Sequence, residues 1–502
     1  MIKLLKSIGL FTAALFSVAP GIASAAWLEA RSKHFIVYSD GGEKQLASFT
    51  EKLEKFDFLL RRMTNTMEND APNPVRVYLL ARDAQVQAAA RDRNVVGYYT
   101  TSERYAYALV SREKPQWALD AAPEDILFHE YTHHFMLHYF PAAYPAWYVE
   151  GFAEYFSTIK FKEDGGMQFG NAPTARVYEL IKKPLYPLDK LFTNDTDALT
   201  RLDGSQYYGT AWLLTHFFQH NLAREPEFKR YIDDMVKGVP DITPDKYFAG
   251  GTAALTKEVS AYIKRPITIS VYRPTDMPAF PISVRPVEEG QGVLILQELA
   301  FMRGVPEDEQ EKFAAEVRTK AALYPQSAHA NALLADTELL VDRQDAALAA
   351  AERAIAIDPA LARAWSAKAE VMMARADKSD DEADWKAAQS AIVKANRADL
   401  EDPVPLAQFY RYRRMRGGVL PQVAYDGLYK AYTLLPQSPT YRFNFASSLA
   451  EQKRYDEAVR ILAPLAFSPH PSPMRDYAMT MRERYRSEAA PAKPADAAAK
   501  SD

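Results

Sequence analysis

A chain of 502 residues, 48% hydrophobic and 25% charged, is globular in composition and too long for one ordinary core, so about two to four domains are expected. Its net charge of −4 gives no electrostatic basis for nucleic-acid binding, which leaves small molecules or proteins as partners. The absence of cysteine excludes disulfides, thiolate ligands and thiol nucleophiles, so any metal must be held by His, Asp or Glu.

Residues 1–25 carry Lys3 and Lys6, an apolar run from Ile8 to Val18, a Pro20-Gly21 break and Ala23-Ser24-Ala25. That layout reads as a secretory signal peptide cleaved after Ala25, because the run is short for a bilayer span and ends in small residues. An uncleaved anchor is the alternative. No other segment reaches transmembrane length, so the mature chain is expected to be exported without a membrane span, to the periplasm or alternatively the medium.

Residues 26–115 read as a small α/β unit. The segments "HFIVYSD" (34–40), "PVRVYLL" (74–80) and "YAYALVS" (105–111) are β-branched and aromatic, as strands are. Between the first two, residues 43–63 space Leu and Phe as a helix does.

From Pro123 the pattern is helical through "PEDILFHEYTHHFMLHYF" until Pro141, and again in "WYVEGFAEYFSTI" after Pro145. Proline opens a helix readily and blocks its continuation, so two helices joined by a short loop are expected. Another helix covers "SQYYGTAWLLTHFFQHN" (205–221). Residues 116–270 are thus a helical subdomain, and the prolines of 271–290 suggest a linker or an extended cap.

Within the first helix, His129, Glu130 and His133 form H-E-x-x-H. On an α-helix this spacing puts both imidazoles on one face, able to share a zinc ion, with Glu130 alongside to act on activated water. Two core histidines would share that spacing, so a third ligand decides the matter. The metzincin pattern fails, with Met136 and Tyr139 where glycine and histidine are required. Glu150, 17 positions beyond His133, lies on the second helix, which the loop can fold back beside the first. His134 and His138 read as bystanders.

Here the sequence resembles the gluzincin metallopeptidases, the group that includes thermolysin-like enzymes and aminopeptidase N. "VEGFAEY" matches the Glu-Gly-Phe-Ala core of their second motif at Glu150 to Ala153, although Val149 stands where aminopeptidases carry Asn and the spacing is slightly short. The resemblance implies a zincin-like α+β catalytic fold, Zn2+ held by His129, His133 and Glu150, Glu130 as general base, and a peptide substrate. It also implies that Glu154 orients a ligand histidine, a role consistent with its i+4 position relative to Glu150; Glu154 as the ligand itself is the lesser alternative. A downstream Tyr or His stabilises the oxyanion in such enzymes, and "QYYGTAW" offers Tyr207 or Tyr208, with Tyr208 preferred. Strand 105–111, preceding the zinc helix, takes by analogy the place of the edge strand that pairs with extended peptide.

From 291 to 487 the chain becomes alanine-rich helix with a recurring pattern. Ala347, Ala351, Ala354 and Pro359, then Ala424, Leu428, Ala431 and Pro436, then Ala446, Leu449, Tyr455, Ala458 and Leu462, fall in phase. This resembles tetratricopeptide repeats, about four to five units of them, and implies an all-α solenoid with a groove for a protein partner or substrate; a generic alanine-rich bundle is the alternative. Residues 488–502 read as a disordered tail. Beside a zinc peptidase, the sequence leaves open a repeat scaffold with a non-catalytic peptidase-like domain, and zinc hydrolysis of another amide or ester.

Overall fold

The computed structural model describes residues 26–67, 73–93, 95–114, 121–193, 204–239 and 241–489. The signal peptide and most of the tail read above lie outside these residues. Among the described residues no helix is long and apolar enough to cross a membrane.

The chain begins as an α/β unit. Strands β1 (Leu28–Arg31), β2 (Phe35–Ser39), β3 (Val75–Leu80), β4 (Gly97–Thr101), β5 (Ala106–Ser111) and, from late in the chain, β9 (Ser283–Pro286) form a six-stranded sheet of order β4-β5-β3-β2-β1-β9. The parallel strands β2, β3 and β5 occupy its middle, and their near-continuous apolar sequence fits a sheet covered on both faces. On one face lie α1 (Glu43–Thr64) and α3 (Pro123–Tyr139), meeting through Phe56 and Phe128 at a ring separation of 4.5 Å. The other face is covered by α2 (Asp83–Ala90) and, much later in the chain, by Ile295 and Leu299 of α11 (Glu289–Arg303).

Two sequence expectations need correction. The strand at 105–111 is not the edge: β4 pairs antiparallel outside it, a segment whose glycine and threonines gave little apolar alternation to read. Nor is 271–290 a free linker. The short strands β6 (Lys160–Phe161), β7 (Met167–Phe169) and β8 (Ser270–Tyr272) form a second sheet, and β9 (Ser283–Pro286) returns to pair with β1. Proline at the end of an edge strand is tolerated because its missing N–H need not enter the ladder.

Helix α4 (Ala146–Ser157) follows the 141–145 loop and packs against α3, and α5 (Thr174–Lys182), α6 (Leu188–Phe192) and α7 (Gly204–His220) complete the surroundings of the site. Helices α8 (Glu225–Lys237), α9 (Pro244–Tyr247) and α10 (Gly251–Tyr262) enclose the far side of α7 with Trp147, Phe218 and Phe228.

The remainder is helical. After α11 (Glu289–Arg303) and α12 (Gln310–Ala321) come α13 (Ala328–Leu340) and α14 (Gln344–Ile357), then α15 (Ala362–Ser379) and α16 (Glu382–Ala398). Next are α17 (Pro403–Arg416) and α18 (Gln422–Leu434), α19 (Pro439–Glu451) and α20 (Tyr455–Ala466), and last α21 (Pro473–Ala489). Each helix packs on the next in sequence and α13, α15 and α17 also pack in series, an arrangement compatible with a tetratricopeptide-like solenoid. The in-phase small residues Ala347, Ala351, Ala354, Ala424, Ala431 and Ala458 are fully buried, where their size permits close helix approach. Side chains cap several of the helices, Ser327 on α13, Asp381 on α16, Asp402 on α17 and Ser438 on α19, each satisfying an otherwise unpaired N–H. The last helix continues to Ala489, into the stretch read as tail.

This helical region closes back onto the α/β unit. Tyr432, Leu435 and Tyr441 cluster with Ala106 and Tyr99 at the β4–β5 end of the sheet. Asn73 donates to the Glu401 carbonyl at 3.0 Å, Arg104 pairs with the buried Asp402, and Tyr441 bonds the Glu103 carbonyl.

Candidate metal centre

Helix α3 is held rigidly before it presents any chemistry. Pro123 starts it, Asp57 of α1 accepts from the Tyr131 hydroxyl at 2.6 Å, and Arg61 pairs with that same carboxylate at 2.5 Å while reaching Tyr139. His34 joins the cluster through Glu54 at 2.7 Å and Asp57 at 3.3 Å. These bonds fix the face opposite the histidine pair.

Helix α4 approaches α7 closely through a glycine. A Cβ on Gly151 would lie 2.2 Å from Thr215 Oγ1 and 2.4 Å from the Ala211 carbonyl oxygen of α7, so only glycine allows that approach. The neighbouring Glu150 is thereby set between helices, completely buried.

His129, His133 and Glu150 converge, with one potential ligand atom from each inside a 4.8 Å circle. The two Nε2 atoms are 3.0 Å apart, and Glu150 Oε2 lies 3.3 Å from the first and 3.5 Å from the second. Although these are ion-pair distances, neither Glu150 oxygen has a partner in hydrogen-bonding geometry, and neither does the buried His133 Nδ1. A carboxylate at full burial without a donor is costly, by several kcal/mol for an uncompensated ion. Two imidazole nitrogens and a carboxylate oxygen converging on one point are a donor set for a tetrahedral divalent cation of borderline softness, zinc above all, so the residues present fit the metal.

The electrostatics follow from this convergence. Burial works to lower the basicity of His129, but contact with Glu150 and the charges of Glu154, Glu150 and Glu130 outweigh it and push the pKa up to about 9. Burial pushes Glu150 up, and His133, His129 and His470 more than offset that, holding it well below the usual carboxylate range. The site therefore prefers a carboxylate facing positive charge, which a proton or a metal ion can supply.

Beside His129 lies a cleft of about 810 Å³ lined also by Glu130, Glu154, Arg176 and Tyr208, with Gly97 of β4 at its wall. Glu130 Oε2 accepts the backbone N–H of Tyr99 at 3.2 Å, which holds this carboxylate at the strand edge beside the ligands. Glu154 Oε1 stands 3.9 Å from His129 Nδ1 and accepts from Arg176 Nε at 3.1 Å; its hydrogen bond is thus to the arginine, with the histidine at ion-pair range. Arg176 also lies over the Tyr208 ring at 4.6 Å. Tyr208 faces the cleft, 6.2 Å from His129 between ring centroids, while Tyr207 is buried against Tyr186.

The bystander histidines do different work. His134 is buried, bonded to the Tyr99 hydroxyl at 2.9 Å and to Gln437 of the helical region at 3.3 Å, and burial drives its pKa far down. His138 is lowered to about 4 by burial and by Arg61. Sequence reading missed Arg176, whose segment shows only an ordinary helical pattern, and His470, whose Nε2 lies 3.4 Å from Glu150 Oε1; the only signal for the latter was a histidine set between prolines in "SPHPSP".

No family model matches the chain, and no curated relative matches it. Among solved structures, the chain is similar to a thermophilic tetratricopeptide protein of Thermus thermophilus, 20% identical over 40% of this chain and 98% of that one, with a TM-score of 0.33.

Proposed function

We propose that the chain is an exported zinc-dependent hydrolase of the gluzincin type, acting on peptide bonds, with the helical region recruiting a protein substrate or partner. The observation that carries this reading is the fully buried Glu150 carboxylate, which faces two histidine Nε2 atoms at 3.3 and 3.5 Å and has no hydrogen-bond donor. His129, His133 and Glu150 would hold the ion. When bound, zinc supplies Lewis acidity, polarising a carbonyl and acidifying water.

The rest is done by the protein. Glu130, fixed by the Tyr99 N–H beside the triad, takes the proton from the attacking water and returns it to the leaving amine. Tyr208 enters the cleft with its pKa raised by burial and by Glu150, so it stays protonated and donates to the developing oxyanion. Arg176, bonded to Glu154 and stacked on Tyr208, positions both. Strand β4, which lies outside the strand at 105–111, would pair with an extended peptide through main-chain groups other than the Tyr99 N–H, which Glu130 holds.

A second reading, a repeat scaffold with an unused metal centre, is supported by the stacked helices of the helical region, which do not bear on the chemistry of the cleft. A structural site has no use for Glu130. Comparing hydrolysis of a peptide library by zinc-loaded wild type and Glu130→Gln separates the two: activity lost with zinc retained supports the hydrolase, and partner binding with no Glu130-dependent turnover supports the scaffold.

A further inference from the structure

Glu130 is held by a strand that the helical region grips. Its Oε2 accepts the Tyr99 N–H at 3.2 Å, an amide of β4 spent outside the ladder with β5, and β4 is the outermost strand of its sheet. An edge strand is paired along one side only, so the carboxylate is as fixed as that strand. Tyr99 pins the strand a second time, one helix turn along α3, where its hydroxyl bonds His134 Nδ1 at 2.9 Å. Gln437, buried in the turn between α18 and α19, reaches the same nitrogen through Nε2 at 3.3 Å. An amide nitrogen only donates, which makes Nδ1 the acceptor and the Tyr99 hydroxyl a donor to it.

The grip extends along the β4–β5 hairpin. Tyr99 and Ala106 pack in one apolar cluster with Tyr432, Leu435 and Tyr441. At the end of the hairpin Arg104 pairs with Asp402, and the Tyr441 hydroxyl donates to the Glu103 carbonyl. Resting on the hydrolase reading above, we propose that Tyr99 is a positioning residue for Glu130 and that the helical region, by gripping the β4–β5 hairpin, is part of the catalytic unit. The base and the triad stand on α3 and α4, but the strand that aims the base takes its support from a segment far along the chain. Movement of the α18–α19 turn then shifts the Tyr99 N–H, and Glu130 with it, while His129, His133 and Glu150 stay in place.

Kinetics and hydrogen exchange on zinc-loaded full-length protein test this with Tyr99→Phe and Tyr441→Phe, each of which removes one hydroxyl and keeps the ring. A peptide cleaved by the wild type serves as substrate. Tyr99→Phe is expected to lower kcat by about tenfold to 10²-fold, the scale of displacing a catalytic group by an ångström or less, with KM and zinc content nearly unchanged. Tyr441→Phe lowers kcat in the same direction by less, and in both variants the amides of residues 97–101 exchange faster. Neither substitution lowers the residual turnover of Glu130→Gln any further, because the group they position is already gone. Unchanged kcat and unchanged exchange in Tyr99→Phe overturn the positioning role, as does a fall of equal size in the Glu130→Gln background, which a general loosening of the fold would give. A silent Tyr441→Phe overturns the part assigned to the helical region. A wild type without Glu130-dependent turnover overturns the hydrolase reading, and exchange at 97–101 alone then decides whether the helical region grips β4.

Discussion

His129 Nε2 lies 3.0 Å from His133 Nε2, and both face one buried oxygen of Glu150. In the absence of a cation, contact with Glu150 and the charges of Glu154, Glu150 and Glu130 outweigh burial and push His129 up to about 9. A metal must displace the proton that His129 then holds, and protons compete with it. Apparent zinc affinity should therefore rise with pH, by up to about tenfold per unit below pH 9, and level off above. Calorimetric titration at several pH values, with buffers of different ionisation enthalpy to count the released proton, checks this; a pH-independent affinity would contradict it.

Glu130→Gln removes the base and keeps the volume and the acceptor for the Tyr99 N–H. Hydrolysis should fall by about 10²- to 10⁴-fold, the usual contribution of a positioned general base, with zinc content and melting temperature unchanged.

Tyr208→Phe deletes one hydroxyl from the cleft. Loss of an oxyanion donor lowers kcat by about 10²- to 10³-fold and leaves KM nearly as it was, whereas Tyr207→Phe, altering a residue buried against Tyr186, should leave kcat unaffected. Steady-state kinetics on the two variants distinguishes them.

Gly151→Ala places a methyl group against Thr215 and the Ala211 carbonyl. Overpacking of this kind costs about 1–3 kcal/mol, and because Glu150 is the adjacent residue, zinc affinity should drop together with stability. Denaturant unfolding and metal titration on one sample read both.

The cluster of His34, Glu54 and Asp57 predicts a pH dependence. Burial lowers the His34 pKa, but the Glu54 hydrogen bond and the charges of Asp57 and Glu54 raise it above its ordinary value. A raised folded pKa means that the contribution to stability is complete below the unfolded value of about 6.5 and is lost as pH rises through the folded value. The melting-temperature gap between wild type and His34→Gln should accordingly be widest at low pH and shrink on the alkaline side, as a scan over pH would show.

What the sequence disclosed and what it withheld follow from distance along the chain. His129 and His133 share a helix turn, and Glu150 follows after one proline-bounded loop, so local geometry brings them within reach of one another. The choice between Tyr207 and Tyr208 needed the packing of α7, since adjacent residues on a helix differ by about 100° in direction. Strand β4 was invisible because its stability comes from pairing with β5 rather than from an apolar pattern of its own. The return of β9 to β1 and the placement of α11 on the sheet are contacts between segments far apart along the chain. His470 is the extreme case: no helical period or motif spacing links position 470 to position 150, and only the closure of the helical region on the α/β unit joins them.

The claim on which the rest depends is that His129, His133 and Glu150 hold one metal ion. Metal content of the purified full-length chain, measured after zinc loading and removal of loosely bound ions, tests it directly against His133→Ala. One zinc per chain in the wild type and almost none in the variant is the result expected; a wild type without stoichiometric metal, or a variant that retains it, would contradict the account.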